Sequence, residues 1–84
     1  MSILKVSVRQ VKAARALLNW SQTELAAASG VSIPTIKRLE AEDGYLGGRD
    51  ETAAKIRGAL QRVGIEFINE NGAEVGVRLR DSSR

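Results

Sequence analysis

The chain has 84 residues, 43% of them hydrophobic, with no cysteine and no histidine. This is enough for one domain with a core of marginal size, and it excludes disulfides, thiolate zinc sites and imidazole metal ligands together. Thirteen basic against ten acidic side chains leave a formal charge of +3 at pH 7, which permits a phosphate-facing surface without requiring one. Small domains commonly lean on a disulfide, a metal or a second chain; with the first two gone, a homodimer is expected. No apolar run approaches the about 20 residues that cross a bilayer. The start, Met1 to Lys5, lacks the apolar stretch of a signal peptide. The expectation is a cytoplasmic protein with no membrane association.

In chain order, residues 2 to 7 alternate weakly and read as a short strand or an ordered arm. Ser7 opens a first helix, and Gln10, three residues on, makes a capping box with it. Val8, Val11, Ala14 and Leu18 share one helical face, with Leu17 beside it, while Arg9, Lys12 and Arg15 fall mostly off it and read as a solvated face. Ser21 and Glu24 form a second capping box for a short helix that ends at Ser29 and Gly30. Ser32 is a third N-cap, and Pro34 sits in the first turn that follows, where its missing N–H has no intrahelical partner anyway. Ile36 and Leu39 face inward, and Asp43 and Gly44 mark the exit into a Gly-rich loop. A fourth helix starts at Asp50 or Thr52 and runs to about Val63, with Ala53, Ile56, Ala59, Leu60 and Val63 at helical spacing, and Gly64 ends it. Two strand-like runs close the chain. Ile65 and Phe67 alternate with Glu66, and Val75, Val77 and Leu79 alternate with Gly76, Arg78 and Arg80. Asn71 and Gly72 between them are a hairpin signal, on a connection read as longer than two residues. A single domain over residues 1–84 is expected, with a helical part over 8–63 and a hairpin over 65–80.

The informative stretch runs from Ser21 to Glu40. Two short helices crossing steeply over a brief turn need a small residue at the crossing (Ala26), a glycine in the turn (Gly30) and inward aliphatics (Leu25, Val31, Ile36, Leu39). Trp20-Ser21-Gln22, Glu24-Leu25-Ala26, Gly30-Val31-Ser32, Thr35-Ile36 and Leu39-Glu40 together resemble the helix-turn-helix of the lambda-repressor-like (Cro/C1-type, XRE) transcriptional regulators. The resemblance covers about residues 8 to 63, and the ending resembles, more weakly, short bacterial regulators with a C-terminal hairpin. After Glu40 the pattern departs: the usual short Asn-Gly turn is replaced by Ala41-Glu42-Asp43-Gly44 and a longer loop. The implied fold is mainly α, a four-helix lambda-repressor-like DNA-binding domain with a C-terminal β-hairpin.

The resemblance implies double-stranded DNA as partner and a recognition helix over about residues 32–42. The candidate DNA-contacting residues are Gln22, Ser32, Ile33, Pro34, Thr35, Lys37, Arg38 and Arg49. Gln22 begins the second helix, where a phosphate meets unsatisfied N–H groups. Ser32 caps the recognition helix and reaches phosphate. Lys37 and Arg38 can donate to guanine O6 and N7, and Ile33 and Pro34 can touch a thymine methyl. Taken alone, outside this motif, Lys37 and Arg38 read as a solvated face with a short pairing to nearby glutamates. Arg49, beside Gly47 and Gly48, either grips the DNA backbone or is an exposed loop arginine. Trp20 reads as core packing rather than base stacking, and Tyr45 as covering the core rather than meeting a phosphate. The hairpin's apolar face of Ile65, Phe67, Val75, Val77 and Leu79 either closes its own core or joins a second chain in a twofold dimer.

The function this implies is a homodimeric, sequence-specific transcriptional regulator, a repressor by default, acting on an inverted repeat. A different class remains open: an antitoxin or protein-interaction module that uses the same fold to meet a second regulatory protein. An enzyme is not expected, since no clustered carboxylates, His or Cys offer acid–base or nucleophilic chemistry. No cofactor is expected.

Overall fold

The computed structural model describes residues 6–46, 50–70 and 73–80. Four helices, α1 (Val8–Leu18), α2 (Gln22–Ser29), α3 (Ile33–Glu40) and α4 (Asp50–Arg62), precede two antiparallel strands, β1 (Ile65–Glu70) and β2 (Ala73–Leu79). Each of the first three helices starts where a side chain can satisfy its free N–H groups. Ser7 and Ser21 are extended N-caps, each closing a capping box with Gln10 and Glu24 respectively, and Ser32 accepts from the Thr35 N–H. The stops are equally local. α1 ends on Asn19 and α2 on Gly30, both left-handed, at φ 57° and 75°.

The helices enclose a core of Val11, Ala14, Leu25, Ile36, Leu39, Ile56, Leu60 and Ile65 with Val6, Ala26 and Val31. Trp20 packs against this core as expected, and Phe67 and Val77 bring the hairpin down onto it. Thus the hairpin closes its own chain's core through these residues. Four aliphatic or aromatic positions depart from the sequence pattern. Leu17 is 48% exposed, Val63 lies just past α4 at 36%, Leu79 of the hairpin's apolar face is at 39%, and Tyr45 stands at 42% rather than covering the core. Leu17 falls outside the buried arc because Val11 and Ala14 already fill α1's contact with the interior.

The segment before α1 is more than a free arm. Leu46 N–H donates to Val6 O at 2.8 Å and Val8 N–H to Gly44 O at 2.8 Å, around an antiparallel bridge between Ser7 and Tyr45. Residues leaving α3 are thereby strapped to the start of α1. Residues 1–5, and with them most of the expected arm, lie outside the described residues, as do Gly47, Gly48 and Arg49.

The strands pair Ile65 with Leu79, Phe67 with Val77 and Ile68 with Gly76, then slip to Asn69 with Glu74 and Glu70 with Ala73. Val75 is the extra residue of this bulge. Since Glu70 pairs with Ala73, the connection is residues 71–72 and not the longer one expected; Asn71 and Gly72 themselves lie outside the described residues. The bulge is fastened to α1 by Gln10. Its buried side chain accepts from Ser7 N–H at 3.0 Å and donates to Gly76 O at 2.9 Å, with longer contacts to Ile68 O and Asn69 Oδ1 at 3.3 and 3.4 Å. Gly64 makes the corner between α4 and β1 at φ +104°, and a Cβ there would stand 2.6 Å from Arg80 O. Only glycine fits that approach.

Candidate nucleic-acid interface

α2 and α3 are joined by residues 30–32 alone. Gly30 turns the chain while its N–H still bonds Ala26 O at 2.9 Å. The Ser29 hydroxyl donates to Ala26 O at 3.4 Å and accepts from Val31 N–H at 3.3 Å, satisfying the buried inside of the turn. Ala26 and Val31 are buried at 8% each, with Leu25, Ile36 and Leu39 at 2% or below. The residues expected to anchor the helix pair are therefore the ones that do. The result is a short rod, α3, whose inner side is Ile36, Leu39 and Glu40 and whose outer side is open.

The outer arc carries Ile33, Pro34, Lys37 and Arg38, all exposed. Four residues apart on a helix is one face, so Ile33 lines up with Lys37 and Pro34 with Arg38. Neither cation makes an ion pair with an acid among the described residues. The alternative of a surface pairing with nearby glutamates is not what the structure shows: Glu40 turns inward and is only 5% exposed. Ser32 and Thr35 are tied to each other. The Ser32 hydroxyl donates to Thr35 Oγ1 at 2.8 Å and accepts from Thr35 N–H at 3.3 Å. Arg49 lies outside the described residues.

A second feature sets where this rod points. Arg15 from α1 donates through Nε and Nη2 to the two carboxylate oxygens of Glu40 at 2.8 and 2.7 Å, and through Nη1 to Trp20 O at 3.0 Å. Gln22, at the start of α2, donates to Glu40 Oε1 at 3.0 Å. One carboxylate thus gathers the end of α3, the start of α2 and the side of α1. Burial alone would raise the Glu40 carboxyl. The hydrogen bonds from Arg15 and Gln22, with the positive charges of Arg15 and Lys12, outweigh it and hold the group below the usual range. The hydrogen bond to Glu40 likewise raises Arg15 against the opposing effect of its burial.

This corrects the reading of Arg15 as part of a solvated face, and it qualifies that of Gln22, whose amide is already engaged by Glu40. The signal that was available is positional. Arg15 follows buried Ala14, and Glu40 falls one turn after inward Ile36, so each stands at the margin of an apolar face where a charge survives only with a partner. At the start of α2, the Glu24 N–H is taken by Ser21 Oγ at 3.1 Å and the Leu25 N–H by Ser21 O at 3.1 Å. The N–H groups of Gln22 and Thr23 precede the first intrahelical acceptor and have no partner among the described residues, which leaves them placed to meet an anion.

No helix among the described residues is long and apolar enough to cross a membrane. No curated protein matches the chain. A helix-turn-helix family model matches residues 11–46, from within α1 through the strap after α3. That family is one of DNA-binding regulator domains. With its capped pair of short helices, glycine turn and open outer arc, this segment of the chain is similar to the Cro/C1-type helix-turn-helix of the XRE family.

Proposed function

We propose that the protein is a sequence-specific transcriptional repressor that binds an inverted repeat as a homodimer. The observation that carries this reading is the outer arc of α3, where Lys37 and Arg38 stand exposed with no acidic partner among the described residues. A rod about 10 Å across fits the major groove. Arg38 and Lys37 donate to guanine O6 and N7. Ile33 and Pro34 meet the groove floor, and Ser32 and Thr35 sit at its rim. The backbone N–H groups of Gln22 and Thr23 at the start of α2 take a phosphate, and Arg49 a second one. In a twofold dimer the two α3 helices meet successive major grooves about 34 Å apart.

Support for a second copy comes from the hairpin's outer side. Ile68, 39% exposed on the face opposite Phe67 and Val77, lines an open groove along β1 with Gln61, Glu66, Phe67, Asn69 and Arg78. The same groove is what favours the second reading, an antitoxin-like module meeting a different protein. Selection of duplexes from a random pool, with the mass of the free and bound chain measured in parallel, separates the two. Enrichment of an inverted repeat bound by two chains is expected. A chain that binds no duplex at low salt removes the proposal, and a dimer unaffected by Ile68→Glu removes the hairpin from the interface.

A further inference from the structure

The two capping boxes differ in what their last residue does. Glu24 stands exposed, and its carboxylate accepts from Ser21 N–H at 2.7 Å, which completes the cap of α2. Gln10 caps α1 in the same way, through Oε1 and the Ser7 N–H at 3.0 Å, yet it is only 2% exposed. A glutamate would serve that cap equally well. What a glutamate lacks is a donor, and Gln10 directs its donor end at the hairpin. Nε2 meets Gly76 O of β2 at 2.9 Å and Ile68 O of β1 at 3.3 Å. Ile68 pairs with Gly76 immediately before the register slips. One buried amide therefore joins the start of α1 to both strands beside the bulge.

The hairpin is held at two other places. At its base Arg80 N–H donates to Gly64 O at 2.8 Å, next to the end of α4, and midway Phe67 and Val77 pack on the core. A strand pair fixed at its base and middle can still twist about its length, and a tie beyond those points removes that freedom. Gln10 supplies the tie, so the helices and the outer side of the hairpin move as one body. In a dimer joined along its hairpins, the angle between hairpin and helices fixes the separation and rotation of the two α3 rods. Resting on the hairpin-dimer reading above, we propose that Gln10 is a positioning residue that sets which half-site spacing the dimer accepts, although it is buried away from DNA. Changing the spacing by one base pair moves the second half-site by about 3.4 Å and turns it by about 34°, a displacement that a rigid dimer does not follow.

The test uses the full chain and the duplex recovered by selection, with one base pair inserted or removed between the half-sites, beside a duplex carrying a single half-site. For the wild type the altered spacing is expected to weaken binding about a hundredfold, the low end of what simultaneous engagement contributes. Gln10→Glu keeps the acceptor for Ser7 N–H and loses the donor. In this variant the spacing penalty falls to under about tenfold, while affinity for the single half-site is unchanged. Gln10→Met gives the same relaxation and separates the lost donor from the added charge; the fluorescence of Trp20 shows that each variant is folded. A merely structural role would lower affinity for all duplexes alike and leave the penalty as it was. An undiminished penalty in both folded variants overturns the proposal, and so does a loss on the single half-site as large as on the full site. A wild type that binds every spacing equally overturns it too and leaves the DNA-binding reading standing. A dimer that survives Ile68→Glu removes the hairpin reading beneath it, and a chain that selects no duplex removes both.

Discussion

Replacing Arg15 by Met is the sharpest way to ask whether the buried carboxylate of Glu40 organises the helix-turn-helix. Methionine keeps the length of the stem and its packing but removes the three hydrogen bonds at 2.7 to 3.0 Å that reach Glu40 and Trp20 O. Glu40 would then be left 5% exposed with only the Gln22 amide as partner. Removing one member of a buried pair costs about 3–5 kcal/mol. The Arg15 side chain is itself 20% exposed, so the low end, about 3 kcal/mol, is expected. A domain of this size has roughly 4–13 kcal/mol in total, so the loss is a large share of the whole. Urea unfolding followed by the fluorescence of Trp20, the single tryptophan, reads it directly, since Trp20 packs on the core. Arg15→Met with Glu40→Leu should recover most of the loss, because no charge is then left buried. A loss under about 1 kcal/mol, the value of an exposed pair, or strict additivity in the double variant, would refute the reasoning. The pH dependence supplies an independent check. Glu40 is held below its ordinary value. Its contribution is complete above about 4.3, the ordinary glutamate value, and is lost as the pH falls through the lower folded value. The wild type should therefore lose stability on acidification more steeply than Glu40→Gln, a difference absent near neutrality.

Other perturbations separate interface from scaffold. Arg38→Ala should weaken specific binding by about 1–3 kcal/mol and relax one base position, with unfolding unchanged; equal specificity in a competition assay would count against it. Gly64→Ala should destabilise by more than about 2 kcal/mol, because the added carbon meets Arg80 O at 2.6 Å on a backbone at φ +104°; an unshifted urea midpoint would disprove the close approach. Gln10→Glu replaces a donor with a carboxylate facing Gly76 O and Ile68 O. Its cost, about 1–3 kcal/mol or more near neutrality, should shrink as the pH falls and the new carboxyl regains a proton to donate. A cost that grows on acidification would contradict the assigned contacts.

Much of the helical scaffold was legible because it is written in short-range chemistry. Ser7 with Gln10, Ser21 with Glu24, and Ser32 ahead of Pro34 place three helix starts within a few residues of the atoms they satisfy, and Gly30 places a stop the same way. Spacing then put Leu25, Ile36, Leu39, Ile56 and Leu60 inside. The candidate contact face was legible for the related reason that whatever does not face inward on an eight-residue rod faces out. Arg15 was not, because its role depends on Glu40, 25 residues away. Gln10 was recognised as a capping residue, but its second role depends on carbonyls of a hairpin 58 to 66 residues on.

The order of residues along the chain thus determined on its own where the first three helices begin, which face each buries, and which side chains α3 leaves outward. Packing alone decided that a carboxylate at the end of α3 would hold α1 and α2 in place, that the hairpin would seat on the core through Phe67 and Val77, and that residues 44–46 would be strapped to Val6 and Val8. The physical reason is range: a cap or a periodic face is settled by neighbours within one or two turns, whereas a buried charge or a free carbonyl takes whichever partner the folded chain brings within 3 Å or so.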